Sequence, residues 1–233
     1  MNDNPFFLLI ETATEVCSVA LSQKLEVIDK KEILIGQSHA QNLIPLIDEI
    51  FKNTNVPKDK IKAIGLSSGP GSYTGLRIGA STAKGLCFTL NIPLISISTL
   101  QNIMLGAVKQ LKNENVIYCP MIDARRMEVF YELYDHKQNL IKNTEAIIVE
   151  ENTFSTLLKD HQVVFCGNGI TKCKNLLITH SNAFFSNAPL SASNMATVIY
   201  QQYIEKQFEN IASFEPFYLK DYIAKKSVVK GLI

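Results

Sequence analysis

The segment of the sequence best suited to chemistry is residues 67–79, which read SSGPGSYTGLRIG. An apolar run, residues 63–66, precedes it, and a stretch with helical spacing follows. Glycine and proline disfavour the interiors of helices and strands, so the first part of this segment is predicted to be a shaped loop. Most of the functional interpretation depends on what that loop does.

Two phosphate-binding motifs are incomplete at this loop. The G-x-x-x-x-G-K-[ST] loop needs a lysine after its last glycine, but Leu76 and Arg77 follow Gly75. The dinucleotide fingerprint G-x-G-x-x-G begins at Gly69 but has Thr74 in its last position, and no acidic residue lies near position 90. A phosphate cradle of either type is therefore not predicted. The loop is interpreted instead as a hinge that launches a partner-binding helix, and residual phosphate contact is the second interpretation.

A third motif offers a hydrolase alternative. Residues 65–69 match the G-x-S-x-G nucleophile elbow and follow a strand-like run, with Ser67 as the nucleophile. An elbow turns directly into a helix, however, whereas this chain stays irregular for several more residues. A stand-alone serine hydrolase or glycoprotease-like peptidase would use Ser67 with Asp123 and either His161 or His180.

Length and composition describe a globular chain. Its 233 residues and 46% hydrophobic content suffice for one large domain or two modest ones. The formal net charge of +1 and the 19% of charged residues offer no broad basic surface for nucleic acid. The C-terminal lysines, Lys220, Lys225, Lys226 and Lys230, could touch RNA phosphates, but a solvated tail is their default interpretation.

Cysteines and histidines argue against a bound metal. The five cysteines are widely spaced, form no C-x-x-C pair and lie mostly in apolar runs, which indicates buried free thiols in a reducing compartment. The four histidines form no H-x-x-x-H pair. The apolar run at the amino end stops at Glu11, too soon for a signal or a membrane span. We therefore expect a soluble, cytoplasmic protein with no bound metal and no membrane contact.

The order of predicted elements indicates an α/β protein. The predicted strands are residues 6–10, 17–21, 27–34, 61–66, 94–98, 116–122, 127–134, 146–149 and 163–166. The predicted helices are residues 38–52, 74–90, 100–111, 153–158 and 193–208. Residues 1–112 are expected to form an N-terminal lobe and residues 113–233 a C-terminal lobe. The last helix, near residues 193–209, is a candidate to pack back on the first lobe.

Two of the predicted helices have a face that a partner helix could contact. Helix 38–52 is amphipathic, and helix 74–90 carries small residues at four-residue steps, where a second helix can approach closely. Each glycine costs a helix about 1 kcal/mol relative to alanine, which favours an external reason for the stripe. The alternative is that both faces pack on the protein's own sheet. The candidate interface residues are Leu43, Leu46, Ile47, Ile50, Gly75, Leu76, Arg77, Gly79, Ala80 and Ala83.

A polar turn after the first strand, residues 11–14, also has two interpretations. It is ordinary turn chemistry, or it is half of an anion site, because closely spaced hydroxyl and backbone amide groups can hold phosphate. The weak nucleotide-binding candidates, taken from this turn and from the glycine-rich loop, are Thr12, Thr14, Gly71, Ser72 and Thr74. No residue is predicted to be catalytic.

Six segments form a further pattern in order along nearly the whole chain. They are residues 10–14, 17–21, 38–41, 68–79, 122–125 and 216–219, and the string GPGSYTGLRIG within 69–79 is the most specific. Together they resemble the TsaB (YeaZ) family of bacterial threonylcarbamoyladenosine biosynthesis proteins, formerly labelled glycoprotease-like. The resemblance implies an actin-like, Hsp70-like ATPase fold of two α/β lobes, each opening with an antiparallel meander.

The resemblance also implies a function. Members of this family are non-catalytic scaffold partners of TsaD, the metal-bearing paralogue that transfers a threonylcarbamoyl group to N6 of an adenosine in tRNA. That adenosine lies next to the anticodon of tRNAs that read A-starting codons. The implied partners are a TsaD-like paralogue in a heterodimer, a second copy of the chain when it is alone, a TsaE-like ATPase in the complex and, indirectly, tRNA. The lack of an H-x-x-x-H pair fits the non-catalytic side.

One departure from the family pattern bears on nucleotide binding. Relatives often have Asp at the end of the first strand, where an acidic residue would help to organise magnesium and phosphate, but this chain has Glu11. ATP or ADP with magnesium is therefore expected only in the partner complex. The remaining alternative is an autonomous ATPase of the same fold, similar to a sugar or acetate kinase.

Overall fold

The computed structural model describes residues 4–34, 39–111 and 115–219. The strands are β1 (Phe6–Glu11), β2 (Cys17–Gln23), β3 (Glu26–Ile33), β4 (Ile61–Ser67), β5 (Leu94–Ile97), β6 (Val116–Asp123), β7 (Glu128–Tyr134), β8 (Leu140–Ile148), β9 (Gln162–Cys166) and β10 (Ala183–Ser186). The α-helices are α1 (His39–Thr54), α2 (Tyr73–Leu90), α3 (Thr99–Gln110), α4 (Ser155–Asp160), α5 (Ile170–Leu177) and α6 (Ala196–Ile204). The lysine-rich tail that begins at Lys220 lies outside the described residues.

The strands form two five-stranded sheets with the same internal order. The first sheet runs β3-β2-β1-β4-β5, with β1, β2 and β3 antiparallel and β4 and β5 parallel to β1. The second runs β8-β7-β6-β9-β10, again a meander of three strands extended by two parallel ones. The predicted α/β fold with two lobes, each opening with a meander, is confirmed.

Three apolar clusters hold the layers together. The first lies between α1, α2 and one face of the first sheet, and the third lies between α4, α5 and one face of the second sheet. The middle cluster joins the two sheets through α3 and the start of α6, and it includes Leu9, Met104 and Tyr118. Both sheets are therefore covered on both faces, as their nearly continuous apolar strands require.

Helix α6 lies on the first sheet, although it follows the second sheet in sequence. It contacts β1, β3 and β5. Gly65 makes room for it, because a Cβ at that position would lie 2.8 Å from Cγ1 of Ile199. The chain then continues along the first lobe, where the backbone amide of Glu209 donates to the carbonyl of Leu94 (2.9 Å) and Phe214 is buried.

The element predictions fail mainly in the second lobe. Strand β8 begins at Leu140 rather than near 146, and α5 and β10 are not among the predicted elements. The predicted helix 193–208 is a 3-10 helix, Ala192–Met195, followed by α6, whose last residue, Ile204, is 60% exposed. Pro45 lies inside α1, since that helix already begins at His39. No described helix is long and apolar enough to cross a membrane.

Candidate functional site

The glycine-rich loop is docked on the β1–β2 turn. Strand β4 ends at Ser67, and Ser72 caps α2 by accepting a hydrogen bond from the amide of Gly75 (3.3 Å). The amide of Ser72 in turn donates to the carbonyl of Ala13 in the β1–β2 turn (2.6 Å). The loop and the turn, predicted as two halves of one site, therefore do lie together.

Glycines are required where the loop and α2 meet that turn. A Cβ at Gly71 would lie 2.2 Å from the carbonyl oxygen of Ala13, and one at Gly75 would lie 2.1 Å from that of Thr12. At Gly79 the Cβ would lie 2.3 Å from the Thr12 hydroxyl. The small-residue stripe of α2 thus accommodates the protein's own turn. Contacts within the protein therefore explain these glycines without a partner helix.

The predicted partner-facing residues lie in the core, with one exception. The buried ones are Leu43, Leu46, Ile47, Ile50, Gly75, Leu76, Gly79, Ala80 and Ala83. Their faces pack on the protein's own first lobe. Arg77 is exposed and stacks on the ring of Tyr73 at 4.0 Å. The outer surfaces of these helices instead carry Ile44, which is 54% exposed, and Phe88, which is 84% exposed.

The nucleotide-binding candidates are mostly committed to internal contacts. Thr12 is fully buried and its hydroxyl donates to the carbonyl of Gly75 (2.9 Å). The hydroxyl of Thr14 accepts from the amide of Val16 (3.3 Å), although Thr14 also lines the space between the lobes. Gly71 and Ser72 hold the turn as described above, and Thr74 is exposed on the first turn of α2. The five residues do not converge on a common empty site.

A buried polar cluster lies directly behind the turn. The carboxylate of Glu11, fully buried, accepts hydrogen bonds from the amide of Ala13 (2.7 Å), from Nδ2 of Asn102 (2.6 Å) and from the Ser67 hydroxyl. Burial raises the pKa of Glu11, and these hydrogen bonds offset only part of that effect. Oδ1 of Asn102 is buried without a hydrogen-bond partner in the described part of the chain. Sequence reasoning missed Asn102, because no local pattern connects it to Glu11, which is remote along the chain.

The surroundings of Ser67 in this cluster are not those of a serine hydrolase nucleophile. Ser67 is only 1% exposed, and its side-chain partners are Glu11, Asn102 and the sulfur of Met195. A nucleophilic serine needs a histidine base at its hydroxyl and access to substrate. Ser67 has neither among the described residues.

A cleft of about 300 Å³ separates the lobes beside the turn. Thr14 and Glu15 line it from the first lobe, and Asn168 and Thr171 line it from the second. Nδ2 of Asn168 donates to the Glu15 carboxylate across the cleft (3.2 Å), so the two walls are linked. The sequence predicts only a tight loop at a strand end for residues 167–169. That pattern fits an ordinary turn at least as well as a functional loop.

The cleft lining fits a nucleoside triphosphate poorly. Glu15 is the one charged residue among the described lining residues, and a polyphosphate requires cations or free backbone amides. In the adjoining turn the amides of Ala13 and Val16 are already bonded to the side chains of Glu11 and Thr14. The described residues also contain no cluster of His, Cys, Asp and Glu suited to a metal ion.

The corresponding turn of the second lobe, between β6 and β7, is open to solvent. Asp123 accepts from Nζ of Lys172 (2.6 Å) and from the amide of Arg125 (2.6 Å). Lys172 also donates to the carbonyl of Arg126 (2.6 Å), and Asn168 accepts from the amide of Asp123 (3.0 Å). The sequence places Asp123, Arg125 and Arg126 together at a strand end, which favours a structural ion pair between the carboxylate and a guanidinium group. In the structure the cation paired with Asp123 is instead Lys172, which comes from the unpredicted helix α5.

All five cysteines, Cys17, Cys87, Cys119, Cys166 and Cys173, are free and buried, as the sequence predicts. Burial raises the pKa of Cys17 to about 11 and that of Cys87 to about 12. A thiol with such a pKa is protonated at neutral pH and is a poor nucleophile. Cysteine chemistry is therefore no part of the site.

Known proteins are similar in sequence to nearly the whole chain. The family described as TsaD, tRNA N6-adenosine threonylcarbamoyltransferase, matches residues 33–233. The tRNA threonylcarbamoyladenosine biosynthesis protein TsaB of Escherichia coli (strain K12) is 30% identical over 231 residues, which are 95% of this chain and 97% of that protein. The chain belongs to the TsaB (YeaZ) family. A second TsaB, from Haemophilus influenzae, is 29% identical and covers 97% of this chain and 98% of its own length.

A solved TsaB-family structure confirms the fold. The structure described as YeaZ from Pseudomonas aeruginosa superimposes with a TM-score of 0.80 and 23% sequence identity. The superposition covers 92% of this chain and all of that one. The family that the six sequence segments indicate is confirmed as well.

Proposed function

We propose that the chain acts in threonylcarbamoyladenosine biosynthesis as a non-catalytic scaffold for a TsaD-like paralogue, in the cytoplasm. TsaB relatives that match nearly the whole chain carry that process in their names, and the matching family model is named for the transferase itself. The transferred group would go to the adenosine next to the anticodon of tRNAs that read A-starting codons. Transfer chemistry would belong to the paralogue.

The observation that carries the scaffold role is the closed state of the first-lobe site. A working site of this fold needs an acidic side chain that faces the cleft, but Glu11 is fully buried and bonded to Ser67 and Asn102. Among the described lining residues the cleft holds only the charge of Glu15. We propose that ATP or ADP with magnesium is bound only in the partner complex, where a second chain supplies the cationic groups that this lining lacks.

The partner surface proposed here is the outer side of α1 and α2. Ile44 and Phe88 are large apolar side chains left in water on these two helices, and Arg77 lies on the same outer side of α2. Exposed apolar side chains of this size are typical of association surfaces when they recur on one side of a molecule. The TsaD-like paralogue would cover this surface in the heterodimer, and a second copy would cover it in a homodimer. A TsaE-like ATPase would join the complex, and tRNA would be reached through it.

Reconstitution tests the function directly. Unmodified tRNA, threonylcarbamoyl adenylate as the donor, ATP and the paralogue with its accessory proteins are incubated with and without this chain. Threonylcarbamoyladenosine should appear only when the chain is present. Product formed equally well without it would overturn the scaffold role, and product formed without the paralogue would make this chain the catalyst.

The partner surface is tested by Phe88→Glu. The charge should weaken association with the paralogue by about tenfold or more, because a central aromatic contact at an interface is typically worth more than about 1 kcal/mol. Ile178→Glu is the matched control, since Ile178 is 58% exposed but lies just after α5 in the other lobe. Equal association of both folded variants would refute this surface. Gly79 is also a candidate interface residue, but a substitution there would not test the surface, because any side chain at that position collides with Thr12.

A further inference from the structure

The two arginines at the tip of the β6–β7 turn have a backbone conformation that their side chains disfavour. Arg125 and Arg126 have φ values of +72° and +50°. Consecutive residues in the left-handed region are those for which hairpin turns usually select Asn and Gly. The other non-glycine residues with positive φ in the described chain are isolated from one another. Folding alone does not require arginine at either position.

Both guanidinium groups are left available. Arg125 and Arg126 are exposed, and no ion pair joins either of them to another described residue. The nearby carboxylate of Asp123 is already paired with Lys172 at 2.6 Å. That pair also fixes the turn, since Asp123 accepts from the amide of Arg125 and Lys172 donates to the carbonyl of Arg126. The arrangement presents two uncompensated cations on an anchored support.

The turn stands at the mouth of the cleft. The amide of Asp123 donates to Oδ1 of Asn168, and Asn168 lines the cleft. The carboxylate of Glu15 faces Asn168 from the other wall, so an anion is favoured at the arginines and disfavoured deeper in the cleft. Two adjacent, solvent-exposed guanidinium groups suit an extended polyanion, because each of them can donate hydrogen bonds to phosphate oxygens.

We propose that Arg125 and Arg126 form a phosphate-binding site for the backbone of RNA. The site goes beyond the proposed function, in which tRNA is reached through the complex, and it rests on that function only for the choice of RNA as the polyanion. Its contribution is electrostatic and independent of base sequence, as phosphate contacts are. The ligand lies along the outside of the cleft and does not enter it.

The test measures binding of fluorescein-labelled oligouridylate to the full chain by anisotropy over a range of salt concentrations. The informative variant is Arg125→Asn with Arg126→Gly, which suits the observed φ values and so should fold at least as stably as the wild type. RNA affinity at low salt should fall about tenfold or more. The slope of log affinity against log salt should fall by about 1.4, because each neutralised phosphate of a single strand contributes about 0.7 to it. The matched control is Lys137→Ala with Lys159→Ala, which removes two exposed cations of the same lobe.

Three outcomes would overturn the proposal. The first is that the wild type binds no RNA at low salt, and the second is that the arginine variant has the salt slope of the wild type. The third is that the lysine control loses as much RNA affinity as the arginine variant. Inorganic tripolyphosphate serves as the second probe. If it binds through the arginines while RNA does not, the site takes a free polyphosphate and the RNA assignment is wrong. Association with the paralogue is measured on the same variants, so that failure of the scaffold role is seen separately from failure of this site.

Discussion

The turns that follow β1 and β6 occupy the same position in two sheets of identical strand order, but they have opposite character. Except for Glu15, which is exposed, the β1–β2 turn is buried, and the hydroxyl groups of Thr12 and Thr14 bond to α2 or within the turn. The β6–β7 turn is exposed and presents Arg125 and Arg126 to solvent. A repeated fold therefore fixes where a turn lies and leaves its chemistry to the local sequence.

The two strand-end carboxylates show the same contrast. Glu11 ends β1 in full burial, where hydroxyl and amide groups bond it and no cation of the described chain pairs with it. Asp123 ends β6 at the surface and is paired with Lys172. A buried carboxylate without a cation is stabilised as the neutral acid, whereas an exposed ion pair is nearly neutral in its effect on stability. The following predictions test how far this difference extends.

The largest effect is expected where the first turn meets α2. Gly75→Ala places a methyl group 2.1 Å from the backbone oxygen of Thr12, so either the turn or the helix must move. We expect a decrease of about 3 kcal/mol in the free energy of unfolding, at the upper end of overpacking effects. Urea denaturation measures it. Gly85→Ala is the control, since nothing lies within 4 Å of its Cβ position. That variant should gain up to about 1 kcal/mol from helix propensity.

Glu11 should make stability depend on pH. Because burial raises the folded-state pKa above 4.5, the folded state holds the proton more tightly than the unfolded state. This contribution is complete below pH 4.5 and is lost as pH rises through the folded pKa, at about 1.4 kcal/mol per pH unit. Denaturation of the wild type and of Glu11→Gln, at a series of pH values, measures it. The variant should lack this decline; the same slope in both proteins would mean that Glu11 is ionised when buried.

The smallest effect is expected at the second turn. A double-mutant cycle with Asp123→Ala and Lys172→Ala should give a coupling energy below about 1 kcal/mol, because the Asp123 side chain is 48% exposed. The coupling should shrink further in high salt. A coupling of several kcal/mol, unaffected by salt, would show that the β6–β7 turn is as rigidly built as the first one and would weaken the comparison.

Much of the fold is predictable from local pattern. The meander of the first lobe, α1, α2 and the strand before the glycine-rich loop all have strong apolar periodicity, and the predicted bounds of each agree with the structure within a few residues. Strand β10 and helix α5 escape prediction because they are short, with four and eight residues. Strand β8 is predicted too short because it is an edge strand whose side chains, such as Ile141 at 54% exposure, face water.

The candidate site is harder to predict than the fold. The candidates that the sequence takes from the β1–β2 turn and the glycine-rich loop do lie in adjacent segments, and the turn itself packs against the glycines of the α2 stripe. The spacing of the small residues in α2 predicts that another segment approaches the helix closely, but it does not predict which segment. Lys172 and Asn168 escape prediction as partners of Asp123 and Glu15 because no local pattern connects residues so distant along the chain.

The sequence by itself determined the element order of the first lobe, the need for a shaped loop at residues 67–75, the burial of five cysteines and the family. These depend on local backbone preference and on the periodicity of apolar residues. Only the tertiary structure decided that Thr12 fills the groove of α2, that Asn102 meets Glu11, and that two arginines stand at the cleft mouth with no ion pair to another described residue. Such contacts depend on which surfaces the folded sheets bring together, and no residue type or spacing specifies them in advance.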